Sequence, residues 1–111
     1  MIKDDRFYLQ TILDMIARID RATSDGETLF LSSDLHQDAV LRNLHTITET
    51  TQRLSDDLKN SHDEIEWRKL SAFRNVVVHD YLGIDIGLIW SIVVNDIPAL
   101  EQQIKEILNN L

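Results

Sequence analysis

Ser71-Ala72-Phe73-Arg74-Asn75-Val76-Val77-Val78-His79-Asp80-Tyr81 can be read in two ways, and the choice between them decides the fold. As a strand, Val76-Val77-Val78 would be a short buried run, with Arg74 and Asp80 as solvated flanks and His79 as a satisfied polar neighbour. As a helix, the same residues would close a longer amphipathic segment. The surrounding chain favours the helix. Ile65, Leu70, Phe73 and Val77 recur at helical intervals, and Leu82-Gly83 supplies a stop. The reading is therefore a helix over roughly 64–81 with polar, chemistry-bearing side chains at its end.

Along an ideal helix each residue turns the chain by about 100° and advances it by about 1.5 Å. Arg74 and Tyr81, seven residues apart, thus share a face two turns apart. His79 falls off that line, rotated by about 140° and raised by about 7.5 Å relative to Arg74. One straight helix cannot bring imidazole and guanidinium together. Two helices can: a second copy packed antiparallel across a two-fold axis would set each chain's arginine against the other's histidine in a composite cleft.

Outward from this stretch, the chain reads as scaffold. With 111 residues, 43% hydrophobic content, 3 Gly and 1 Pro, it is expected to be a single domain over 1–111 with a modest core. A first helix runs over about 4–22, with Phe7, Ile12, Ile16 and Ile19 on one face; Thr23-Ser24-Asp25-Gly26 ends it. Glu27 to Ser32 links onward with Leu29-Phe30-Leu31 tucked inward, and Ser33 or Asp34 caps the next helix. That second helix spans about 34–60, its apolar or small positions Val40, Leu44, Ile47, Thr51, Leu54 and Leu58 stepping by threes and fours. The last begins near Asp85 and carries Ile86, Ile89, Val93, Ile97, Leu100, Ile104, Ile107 and Leu111, interrupted at Pro98, which lacks a backbone donor. The expected fold is all-α, a four- to five-helix up-and-down bundle whose last helix is kinked or broken near Pro98. Trp90, Ile92 and Val94 are left over by one such packing, a second argument for a homodimer.

Zero cysteines exclude a disulfide framework and thiol catalysis and fit a reducing cytoplasm. Met1 to Arg6 lacks the apolar core of a signal peptide, and no segment approaches about 18 uninterrupted apolar residues, so a cytoplasmic protein without a membrane partner is expected. A formal net charge of -8 opposes non-specific binding to a polyanion. Arg68, Lys69 and Arg74 are concentrated near the motif, however, and would make a local basic cleft on an acidic body. His36 and His45, nine apart without a matching carboxylate pattern, read as surface or edge histidines, and neither metal nor cofactor is called for. Trp67 reads as a core anchor in preference to a stacking platform for a base. Glu49 is placed to approach the motif across a helix interface, or to be solvated.

Arg74-x4-His79-x-Tyr81, with Asn75 directly after the arginine, resembles the signature of the HepT-like toxins, a branch of the HEPN superfamily of small all-helical ribonucleases. Gln37-Asp38-Ala39-Val40, Arg42-Asn43-Leu44, Arg53-Leu54-Ser55, Trp67-Arg68, Ile89-Trp90 and Asp96-Ile97-Pro98-Ala99-Leu100 fall in the same order and spacing as in that family, so the resemblance covers nearly the whole chain. Local departures are Ile47-Thr48-Glu49-Thr50-Thr51, where the family commonly has Ile-Gly-Glu and small residues, and His62-Asp63-Glu64-Ile65-Glu66-Trp67, where it commonly has Pro-x-Ile-Pro-Trp. The resemblance implies a toxin whose cognate antitoxin is a minimal nucleotidyltransferase that silences it by adenylylating the motif tyrosine, here Tyr81.

The chemistry is compatible with that implication. RNA is cleaved without metal when its 2′-hydroxyl attacks the adjacent phosphorus. A histidine can move the proton and an arginine can match the phosphate oxygens. Arg74 and His79 fit those roles, and Asn75 can orient substrate or imidazole. The expected function is a metal-independent endoribonuclease acting on RNA. Two alternatives remain: a non-catalytic partner subunit of a nucleotidyltransferase, with Arg74 and His79 binding a nucleotide phosphate, and a purely structural use of the motif.

Overall fold

Asp5–Thr23 (α1) and Asp34–Arg53 (α3) are the two longest helices, and α3 packs along α1 on one side and Trp67–Val78 (α5) on the other. The computed structural model describes the backbone of residues 2–78 and 83–111 and the side chains of 2–75 and 83–111. All regular structure among the described residues is helical. Glu27–Ser32 (α2) and Asp56–Ser61 (α4) are short corner helices. The final rod comprises Ile86–Ser91 (α6), a π-helical turn over Ile92–Asp96, and Ile97–Asn109 (α7). Four long rods with two corner pieces account for the expected all-α bundle.

The rods form because each presents an apolar stripe to a shared centre. Leu9, Ile12, Ile16 and Ile19 of α1, Val40, Leu44 and Ile47 of α3, and Ile97, Leu100, Ile104 and Ile107 of α7 are all buried. Full burial of one such side chain contributes about 1.5–3 kcal/mol, so the stripes outweigh a sequence rich in solvent-facing charge. Side-chain caps then set the helix starts. Asp4 Oδ1 accepts from Phe7 N at 3.0 Å, Ser33 Oγ from His36 N at 3.3 Å, and Asp85 Oδ1 from Leu88 N at 3.0 Å.

Several expectations are corrected. The helix expected over 34–60 is two helices, because Leu54 turns to extended backbone and Ser55 restarts the chain, its Oγ accepting from Leu58 N at 3.1 Å. Asp5 fastens this corner to the start of α1: Oδ1 accepts from Ser55 N at 2.9 Å and Oδ2 from Ser55 Oγ at 2.6 Å. In the Leu29-Phe30-Leu31 segment only Phe30 is buried, with Leu29 and Leu31 exposed, because a helix as short as α2 turns just one of three neighbours inward. Ile92 is buried and Trp90 half-buried, its ring centroid 5.3 Å from that of Phe30; of the three apolar residues thought to be left over, Val94 alone is exposed.

The disturbance expected at Pro98 takes the form of a widened turn. Ile97 N donates to Ile92 O five residues back, and Pro98 follows in the first turn of α7. Proline at 98 can give no hydrogen bond to the Val94 carbonyl and its ring would collide with it, and one wide turn accommodates both.

Candidate functional site

Arg74 and Asn75 lie side by side on α5, both exposed. α5 is anchored by Leu70 and Phe73, each 6% exposed, so the arginine is held on a packed helix. The segment of α3 facing it is unusually polar for a buried surface: Thr48, Thr50 and Thr51 are all buried. Each threonine satisfies its hydroxyl within α3, Thr48 donating to His45 O at 2.8 Å, Thr50 to Thr46 O at 2.7 Å and Thr51 to Thr48 O at 2.8 Å. These internal bonds satisfy the hydroxyls and so allow threonine to be buried there.

Between these threonines, Glu49 reaches α5. Its Oε1 lies 3.3 Å from Arg74 Nε, the first of the two placements the sequence left open. The contact is an ion pair rather than a hydrogen bond, since Glu49 Oε1 is sealed from solvent and has no hydrogen-bond partner among the described residues. Half of the Arg74 side chain remains exposed.

Lys69 is likewise engaged. Its Nζ lies 2.8 Å from Asp96 Oδ1 at the end of the π turn and 3.9 Å from Glu66 Oε2. The hydrogen bond to Asp96, followed by that carboxylate's charge, raises the ammonium pKa above its ordinary value. Arg68 is exposed, but six residues separate it from Arg74, about 120° around the helix, and Lys69 is about 140° from Arg74. The three cations therefore fan around α5, two of them already facing carboxylates, in place of the expected basic cleft.

Trp67 is half-buried against the core and its Nε1 donates to His62 O at 3.1 Å, which supports the reading as an anchor. Two cavities flank the first half of α5, one including Lys69, Phe73, Asp96 and Leu100, the other Lys59, Asp63 and Trp67. Neither is lined by Arg74 or Asn75. His36 is half-buried, its Nδ1 2.6 Å from Ser33 Oγ, and His45 is exposed. Among the described residues no three His, Asp or Glu side chains cluster so as to hold a metal ion. No described helix is long and apolar enough to cross a membrane. His79 and Tyr81 lie outside the described residues.

Residues 12–107 match the family model described as "Ribonuclease HepT-like". A protein of Thermococcus cleftensis named "Probable ribonuclease HepT" is 32% identical over 108 residues, covering 96% of this chain and 98% of its own length. A protein of Methanocaldococcus jannaschii named "Gamma-glutamylcyclotransferase and putative RNase MJ0434" is 35% identical over 112 residues, covering all of this chain. The chain spans half the length of that second protein. A protein of Caldanaerobacter subterraneus named "Putative RNase TTE0752" is 30% identical over 96% of both chains. No solved structure gives a significant match.

Proposed function

The chain belongs to the ribonuclease HepT-like family, and from that premise we propose that it is a metal-independent endoribonuclease, the toxin of a toxin–antitoxin pair. The observation that carries the reading is Arg74, held on a packed helix with half of its side chain open to solvent. A guanidinium so placed can receive a phosphodiester through parallel N–H groups and offset the charge that grows on phosphorus oxygens during attack. His79 is the proton-transfer group. The substrate 2′-hydroxyl gives up its proton as its oxygen bonds to phosphorus, the bond to the 5′-oxygen breaks, and that oxygen takes up a proton. The products are a 2′,3′-cyclic phosphate and a free 5′-hydroxyl. Asn75, exposed beside Arg74, orients the substrate or the imidazole.

An ideal helix carried on to residue 79 would separate Arg74 from His79 within one chain, so the site is proposed to be composite, formed at the seam of a homodimer. Tyr81 is proposed as the site at which a minimal nucleotidyltransferase antitoxin attaches an adenylyl group. The added phosphate would occupy the arginine's charge and close the cleft.

The net charge of -8 and the pairing of Lys69 and Arg74 with carboxylates favour one second reading: a non-catalytic partner subunit that binds a nucleotide phosphate. Cleavage of a defined RNA in EDTA separates the two, using protein checked by mass to carry no adenylyl group. The ribonuclease reading expects cyclic-phosphate ends from wild type and a loss of about 10²–10⁴ in rate for His79→Ala. Intact RNA alongside nucleotide binding would select the partner-subunit reading.

A further inference from the structure

We infer that Glu49 is a positioning residue for RNA cleavage, acting on the substrate through Arg74; the inference rests on the reading of Arg74 as the phosphate-binding group. Glu49 Oε1 is 3.3 Å from Arg74 Nε, and the same oxygen is shut off from solvent without a hydrogen bond among the described residues. A buried polar atom left in that state is rare and calls for an explanation. Fold stability is a poor one. A half-exposed ion pair contributes little, and a carboxylate oxygen with no hydrogen bond is a net burden on an interface that two apolar side chains would fill better.

Phosphate presentation is a better explanation. A guanidinium carries five N–H donors, one on Nε and four on the terminal nitrogens. With the Nε side facing Glu49, the end-on fork of the two terminal nitrogens is left for two oxygens of a phosphate. The carboxylate thereby fixes which edge of the arginine meets RNA. It also brings a negative charge close to a polyanion, so it cannot act by strengthening ground-state binding. The two effects have opposite signs, which separates positioning from binding.

The test is steady-state cleavage of a short RNA in EDTA by wild type, Glu49→Gln, Glu49→Ala and Arg74→Ala, each checked for folding by circular dichroism. Glu49→Gln keeps the side chain's shape and removes its charge. It should lower kcat by about tenfold to a hundredfold, the scale of a misplaced catalytic group. KM should stay unchanged or fall, because a charge repelling the substrate is gone, and the melting temperature should stay close to that of wild type. Glu49→Ala should show the same split. An inactive Arg74→Ala beside a Glu49→Gln of wild-type kcat, or a raised KM at unchanged kcat, overturns the role of Glu49 alone. Wild type that cuts no RNA, or Arg74→Ala that cuts as well as wild type, overturns the ribonuclease reading of Arg74 and this inference with it.

Discussion

Replacing Asp5 by alanine should cost the protein about 2 kcal/mol, although the residue lies far along the chain from any motif. Its carboxylate accepts two hydrogen bonds from Ser55, through backbone N at 2.9 Å and Oγ at 2.6 Å. Each is worth about 0.5–1.5 kcal/mol net, with exposure holding the pair toward the lower half of that range. Asp5 is also an acidic residue in the first turn of α1, which adds about 0.3–1 kcal/mol through the helix dipole. For a chain of 111 residues about 1 kcal/mol moves the melting temperature by roughly 4 °C, so Asp5→Ala should melt about 8 °C below wild type. Thermal circular dichroism at one fixed protein concentration reads this directly, the concentration mattering because self-association shifts the midpoint. Ser55→Ala serves as the partner variant. It loses the α4 cap as well, and the two effects should be clearly non-additive in the double variant because they share the same bonds. A melting temperature for Asp5→Ala within about 1 °C of wild type would refute the view that this corner is fastened by Asp5.

Two further outcomes follow from the geometry. Burial raises the Asp20 carboxyl pKa above 3.8, and the Glu101 carboxylate raises it further against the opposing pull of Lys105. The folded state then holds that proton more tightly than the unfolded state, so stability falls as pH rises through the window above 3.8. Asp20→Asn should therefore melt slightly higher than wild type at pH 7, and the gap should close below pH 3.8 in a pH series of melts. Trp67→Leu should lower the melting temperature, through loss of the indole packing and of the bond to His62 O, while leaving RNA affinity by fluorescence anisotropy unchanged. A base stacked on the indole would instead show as a loss of about 1–3 kcal/mol in RNA binding.

The long rods were legible in the sequence because their signal is periodic. Ile12, Ile16 and Ile19 repeat every three or four residues and each proves buried, whereas Phe7, expected on the same face, is only half-buried and Leu9 takes the core position. The break after α3 was hidden for the same reason: Leu54 and Leu58 continue the stripe across it, and both are indeed buried. The available cue was the run Ser55-Asp56-Asp57, a cap followed by two acids in a first turn. Pro98 announced a disturbance, yet proline alone does not say whether a helix breaks, bends or widens. The site was legible in part. Arg74 and Asn75 fall where helical spacing put them, while the electrostatic setting was readable only as two alternatives for Glu49 and not at all for Asp96, because these carboxylates meet Arg74 and Lys69 from other helices. No periodic pattern links residues 25 or more apart, and only packing brings them together.

The pairing of cations on α5 has a consequence for ionic strength. Proteins that hold nucleic acid with unpaired lysines and arginines displace condensed counterions, and their affinity drops steeply with salt, by about 0.7 log units per log unit for each phosphate neutralised on a single strand. Here Lys69 and Arg74 already face carboxylates, on a body of net charge -8. A strand approaching this surface would release few counterions and would meet long-range repulsion that added salt relieves. RNA affinity should thus stay nearly level as salt increases, leaving discrimination between RNAs to shape and base contacts.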